Sequence, residues 1–289
     1  MGRLDSLMRA KGLSVSDVAR ICGLSKATVS LAKNGKDARK ETLVLEKLAE
    51  NGYAESVKAF RVQRDVFVKT ENTKAFDELC DEFIDPDGDL TSSIGVVIGR
   101  AGRGKTFAAR RYAVMNSSAV YVLFIDGFSL VDVAREIAYE LAGIRPRFFR
   151  DCVDVIDEAT FKERRLVIID EADKMPKKHI EMLRGLNERC MLPMVLVGEE
   201  TLKKTLESER RLKSRVRRIV DFKPISLVDI AAYYSSAVGI ELDGEVLKEL
   251  HKRSGGDFRN VVKDAFAIVR ILNANRLTGI DLDVVRSLR

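Results

Sequence analysis

Tryptophan is absent from the 289 residues, only two histidines occur, and the four cysteines lie far apart. His179 and His251 leave a histidine-built metal site or a Ser-His-Asp triad little raw material. Cys22, Cys80, Cys152 and Cys190 form no Cys-x-x-Cys pair. That argues against a zinc site or a disulfide framework and fits a reducing cytoplasm. Each cysteine reads as a small buried hydrophobe rather than a reactive thiol. No apolar run approaches the roughly 18 residues that cross a bilayer. The opening Met1-Gly2-Arg3-Leu4-Asp5 lacks the apolar segment of a signal peptide. The expectation is a cytoplasmic protein with no membrane partner.

What is present is charge. Charged residues make up 33% and hydrophobic residues 46%, a soluble globular composition whose length suggests two domains. The net charge of +6 is unevenly spread. Residues 1–61 hold 12 Lys or Arg against 7 Asp or Glu, and residues 203–218 hold eight against two. Concentrations of this kind attract phosphate backbones, although a solvated helix face produces the same pattern.

Four regions succeed one another. Residues 1–60 read as short helices: an amphipathic opening, then 16–22, 25–34 and 41–51. Residues 61–93 are polar and mixed, a linker partly packed on the next domain, and end in the turn signal Asp85-Pro86-Asp87-Gly88-Asp89. Residues 94–224 alternate apolar strand runs (94–98, 120–125, 166–169, 194–197, 219–222) with helical patterns. This predicts an α/β fold with a five-stranded parallel sheet covered on both faces. Residues 225–289 read as three helices, 228–238, 244–253 and 260–273, forming a helical subdomain.

The most specific motif is Gly99-Arg100-Ala101-Gly102-Arg103-Gly104-Lys105-Thr106, between the run Ile94–Ile98 and a helix. Gly99, Gly102 and Gly104 let backbone N–H groups turn toward phosphate oxygens, and the helix N-terminus adds its dipole. Lys105 would reach the β- and γ-phosphates, and the Thr106 hydroxyl would hold Mg²⁺. The glycines are not spaced as in a dinucleotide-binding loop, so the expected ligand is ATP. The second element is Leu166-Val167-Ile168-Ile169-Asp170-Glu171-Ala172-Asp173. Its apolar residues form a strand whose carboxyl end presents Asp170 for Mg²⁺ and Glu171 to polarise an attacking water. An Asp-Glu pair alone would read as a helix cap and first-turn acid. The run Val120–Ile125 between the two motifs suggests an extra strand separating P-loop from acid strand. With Glu171 beside Asp170, this favours an ATPase over a small kinase. Arg215, with Arg217 and Arg218 as rivals, is the candidate for an arginine that reaches a neighbouring subunit's nucleotide. Arg259, in Gly255-Gly256-Asp257-Phe258-Arg259, could report nucleotide state to the helical subdomain or simply pair with Asp257 or Asp264.

These motifs in this order resemble the AAA+ ATPases, and the C-terminal helices their lid. Within that superfamily the chain is similar, over nearly its full length, to the target-DNA-binding ATPases of Mu-like transposable phages. The similar order is a helix-turn-helix, the P-loop, Val167-Ile168-Ile169-Asp170-Glu171-Ala172-Asp173, Val195-Leu196-Val197-Gly198, then Ser214-Arg215 before a basic pair. One position departs: after Gly198 the family has Asn, which helps place the water, and here it is Glu199. An ionised acid accepts but does not donate a hydrogen bond and repels the γ-phosphate, so slow hydrolysis is expected.

Residues 16–32 read as the helix-turn-helix. Ala19 is small where helices cross, Gly23 permits the turn, Ser25 caps the second helix, and Leu24, Val29 and Ala32 pack inward. Lys26, Thr28, Ser30 and Lys33 then face outward toward duplex DNA, with Lys203 and Lys204 of the second basic run as further candidates. Short hydroxyls and few arginines suggest low sequence specificity; a protein-interaction module is the alternative. The resemblance implies a homo-oligomer, ring or helical filament, that assembles on DNA with ATP and recruits or stimulates a transposase, in the host cytoplasm if phage-encoded. A DNA-binding regulator using ATP as a conformational ligand, or an AAA+ loader, are the rivals.

Overall fold

The computed structural model describes residues 3–34, 38–53, 59–85, 93–208, 210–275, 277 and 279–288. Of the turn signal at 85–89, only Asp85 lies within them. The chain divides into two compact units, Met1–Arg61 with Arg270–Gly279, and Val62–Val269 with Ile280–Arg289.

The first unit holds α1 (Arg3–Ala10), α2 (Val15–Cys22), α3 (Lys26–Lys33) and α4 (Ala38–Glu50). Its core is Leu4, Met8, Val18, Ala19, Cys22, Val29, Ala32, Val44 and Leu48. Ser14 opens α2 in a reciprocal capping box with Asp17, and Gly23 closes it at φ 63°. Ser25 then caps α3 by accepting from the Thr28 N–H. Residues 270–279 join this unit, and Asn273 exchanges hydrogen bonds of 2.9 Å with the Phe60 backbone in both directions.

The second unit begins with α5 (Glu71–Ile84), which lies inside the stretch that reads as a polar linker. The order continues β1 (Ile94–Ile98), α6 (Lys105–Met115), β2 (Ala119–Leu123), α7 (Leu130–Ala142), α8 (Phe149–Lys162) and β3 (Leu166–Asp170). After a short 3₁₀ turn, Ala172–Lys174, come α9 (Lys177–Arg189), β4 (Met194–Gly198), α10 (Glu200–Ser208), α11 (Arg210–Lys213) and β5 (Val216–Asp221). The chain ends in α12 (Leu227–Val238), α13 (Gly244–Ser254), α14 (Phe258–Asn275) and α15 (Leu282–Arg286), one helix more than the three expected.

All pairings in the sheet are parallel, in the order β2-β3-β4-β1-β5. The strand between the P-loop strand β1 and the acid strand β3 is therefore β4. The run Val120–Ile125, expected there, forms the edge strand β2 instead. Proximity in sequence misleads here, because parallel strands need crossovers and the chain passes over β4's place before filling it.

Side chains alternate across the sheet and build two cores. Val96, Val120, Val122, Val167, Ile169 and Leu196 face α7, α8, α9 and α10. Val97, Ile168, Val195 and Val197 face α5 and α6. Among the described residues no helix is long and apolar enough to cross a membrane. All four cysteines are buried and free; burial pushes the Cys80 thiol well up from its ordinary value.

Candidate functional site

The glycine-rich loop leaves the carboxyl end of β1 and enters α6 at Gly104, whose φ of 89° would strain any residue with a Cβ. Gly102, at φ 78°, is needed for space as well: a Cβ there would lie 2.0 Å from Asp257 Oδ1. Lys105 Nζ donates to the Gly99 carbonyl at 2.6 Å and to the Arg100 carbonyl at 3.1 Å. A phosphate seated in the loop would compete for those donors. Burial pulls the Lys105 ammonium below its ordinary value, and the carboxylates of Glu199, Asp170, Asp173 and Glu171 oppose that shift. The lysine of one motif thus sits in the field of the acids of the other.

Asp170 is the last residue of β3 and only 2% exposed. Its Oδ1 accepts from the Glu171 N–H at 2.9 Å and its Oδ2 from the Tyr121 hydroxyl at 2.9 Å. A carboxylate has about four lone-pair positions, so two acceptors remain for a hard cation. Asp170 and the Thr106 hydroxyl in the first turn of α6 therefore fit Mg²⁺ in their oxygen chemistry. Glu171 stands at φ 60°, a left-handed conformation uncommon for this residue type, and makes no side-chain capping bond. Its carboxylate pairs with Lys174 at 2.7 Å. Glu171 thus takes the N-cap position of the 3₁₀ turn, but its side chain does not cap it. Glu199 is exposed, directly after β4, and its carbonyl accepts from Leu202 N at 3.0 Å in the first turn of α10.

Sequence reasoning missed Asp173, Tyr121 and Arg110. Asp173, which closes the acid motif, packs so tightly on Gly198 that a Cβ there would meet its Oδ1 at 2.7 Å. Tyr121 and Arg110 gave no signal, because their place depends on strand register.

The two arginines sit differently. The Arg215 carbonyl accepts from Ile94 N at 3.2 Å, at the amino end of β1, while the P-loop follows its carboxyl end. The Arg215 guanidinium pairs with Glu188 at 2.8 Å. Of its rivals, Arg218 pairs with Glu82 and Arg217 is exposed. Arg259 lies in the first turn of α14, and its N–H is capped by Asp257 Oδ1 at 2.7 Å. Asp264 pairs with Arg253 rather than with Arg259. This helix start touches the P-loop directly: Phe258 N donates to Gly102 O at 2.9 Å and Arg103 Nη1 to Gly256 O at 2.8 Å.

On α3, Lys26 is exposed while Thr28 and Ser30 are half-buried. The Thr28 hydroxyl bonds Ser25 Oγ at 2.9 Å. Lys33 leans back to Asp5 of α1 at 3.6 Å, so its charge is partly engaged within the unit. Lys203 and Lys204 lie on α10, half-buried and exposed respectively.

Comparison with known proteins adds names to this arrangement. Residues 89–206 match the family described as an AAA domain, and residues 3–50 match the Cro/C1-type HTH DNA-binding domain. Fold and motifs together are similar to an AAA domain over residues 89–206, preceded by a helix-turn-helix over residues 3–50. Among individual proteins the chain resembles the ATP-dependent target DNA activator B of Escherichia phage Mu, 29% identical over 57% of this chain and 56% of that protein. The Mu-like prophage FluMu DNA transposition protein B of Haemophilus influenzae is 29% identical over 59% of this chain and 63% of its own length. The chain thus spans little more than half of these phage-type relatives. A "Potential ATP-binding protein" of Staphylococcus aureus is 24% identical over 77% of this chain and 95% of that one. Among solved structures, Cdc6p from Pyrobaculum aerophilum has a TM-score of 0.57 at 14% identity, covering 78% of this chain and 73% of that one. The RuvB branch migration motor of Thermotoga maritima has a TM-score of 0.52 at 19% identity, covering 78% and 70%. At such identities the likeness is one of fold.

Proposed function

We propose that this chain is a cytoplasmic, ATP-dependent and largely sequence-nonspecific DNA-binding ATPase. It oligomerises on double-stranded DNA and recruits or activates a transposase there. The observation that carries this reading is a P-loop lysine set among the acids that end or follow β3 and β4, in a chain that opens with a Cro/C1-type helix-turn-helix and resembles activator B. Residues 1–60 bind DNA with Lys26, Thr28, Ser30 and Lys33, assisted by Lys203 and Lys204. Residues 61–93 link to the ATPase core at 94–224 and pack α5 onto it, and 225–289, apart from the 270–279 stretch that joins the first unit, act as the lid.

In the core, Gly99, Gly102 and Gly104 shape the phosphate cradle and Lys105 neutralises it. Thr106 and Asp170 would hold Mg²⁺, which would supply neutralising charge to the phosphates. Glu171 exchanges its pair with Lys174 for the attacking water; the pair is exposed and screened by solvent, so the exchange costs little. Arg259 carries nucleotide state into the lid through the contact between Gly102 and Phe258. Arg215 serves the nucleotide of an adjacent subunit.

Electron microscopy with ATP, with and without duplex DNA across a salt series, tests the reading. Filaments or rings on DNA that dissolve as salt rises are expected, because counterion release makes nonspecific binding steeply salt-dependent. Monomers under every condition would sink it. A second reading is favoured by Glu199, foremost among the charges acting on Lys105: ATP as a conformational ligand of a DNA-binding regulator. Sequence-specific footprints with turnover insensitive to DNA would decide for it.

A further inference from the structure

β2 and β3 run in register with Tyr121 opposite Ile168. Ile168 faces α5 and α6, and by the two-residue alternation Asp170 shares that face one step nearer the carboxyl end. The phenol of Tyr121 crosses that step and its hydroxyl donates to Asp170 Oδ2 at 2.9 Å. The direction is fixed, because an ionised carboxylate only accepts. Arg110 lies beside the same ring, its guanidinium 5.2 Å from the centroid and within hydrogen-bonding reach of the Tyr121 hydroxyl. Arg110 belongs to α6, the helix whose first two residues are Lys105 and Thr106. Three elements therefore meet on one carboxylate: the acid strand carries it, the edge strand holds one oxygen, and the P-loop helix braces the residue that does the holding.

We propose that Tyr121 is the positioning residue for the Mg²⁺ site. It prevents the Asp170 carboxylate from rotating, so that the free lone pairs keep one orientation relative to Thr106. This rests on the reading of Asp170 and Thr106 as the Mg²⁺ ligands. The physical case is the stringency of the ion: Mg²⁺ demands near-octahedral geometry at short distances, and a carboxylate free to swing meets that demand only part of the time. Groups that orient a ligand without touching the metal commonly change metal affinity 10- to 100-fold. Arg110 adds coupling, since any shift of α6 that carries Thr106 also carries the brace of Tyr121.

The test is the binding of a fluorescent, non-hydrolysable ATP analogue to the full chain, with Mg²⁺ and with EDTA in its place. Tyr121→Phe keeps the ring and removes only the hydroxyl. It is expected to leave binding in EDTA and the melting temperature at wild-type values while cutting the Mg²⁺-dependent gain in affinity about tenfold. A gain equal to that of the wild type overturns the proposal, as does an equal loss in Mg²⁺ and EDTA, which marks a purely structural residue. Asp170→Asn separates the two levels of the argument. If it retains the full Mg²⁺ gain, the reading of the metal site falls and the role of Tyr121 with it. If it loses the gain while Tyr121→Phe does not, only the role of Tyr121 falls.

Discussion

At Glu199 an exposed carboxylate acts on the Lys105 ammonium against the pull of burial. It leads the charges that stabilise the Lys105 ammonium, ahead of Asp170, Asp173 and Glu171. A γ-phosphate binding to Lys105 therefore meets an acid already using that charge. An acid there repels the incoming phosphate charge, and solvent screening at an exposed residue weakens the repulsion. Glu199→Asn is therefore expected to speed turnover by no more than about threefold, and the amide adds a donor for the attacking water. Steady-state hydrolysis with and without duplex DNA measures this; an unchanged kcat would place Glu199 outside the reaction, and a lower one would show that the acid assists turnover instead of slowing it. The left-handed backbone at Glu171 belongs to the same scale. A conformation costing on the order of 1–3 kcal/mol persists where the surroundings fix it, and here β3 and the 3₁₀ turn do so, with the side chain held by Lys174.

Among the elements, α5 shows what a linear reading catches and what it loses. Phe76, Leu79, Cys80 and Phe83 are all fully buried, spaced three and four apart on one helical face. Acids and polar residues between them give the stretch a mixed look, that of a linker only partly packed on the core. In the fold α5 covers β1, and a Cβ on Gly95 would lie 2.6 Å from the Phe83 ring. Phe83→Ala is accordingly expected to cost about 3–5 kcal/mol of stability, as deletion of a buried aromatic does. Chemical denaturation would show it, and a loss below about 1 kcal/mol would make α5 a surface appendage. The P-loop and the strand ending in Asp170 were legible because all their information is local: strand, loop and helix follow within a few residues. The place of β4 between them and the Tyr121–Asp170 bond were not, since both depend on which distant strands become neighbours. The apolar pattern starts β5 at Ile219 rather than Val216, because Arg217 and Arg218 interrupt its run on the sheet's edge.

For the whole molecule the question is whether one chain can complete its own site. Arg215 is fixed at the amino end of β5 by the bond from Ile94, and the P-loop emerges beyond the five residues of β1. At about 3.3 Å per residue the strand alone separates them by roughly 16 Å, more than an arginine side chain spans. On the proposed reading Arg215 therefore acts on a neighbour's nucleotide, and its pair with Glu188 is exchanged on assembly. Two variants turn this into a test. Lys105→Ala has a dead site but a sound Arg215, and Arg215→Ala has the reverse. Each alone should lose most turnover, since an arginine supplied in trans contributes on the order of a thousandfold or more. Mixed in equal amounts they form head-to-tail junctions at random, and about one junction in four joins an intact site to an intact arginine. Turnover near a quarter of the wild-type rate is the expected result. A mixture as inactive as its components, on DNA to which both variants bind, would remove Arg215 from the reaction and return it to Glu188 as a structural partner.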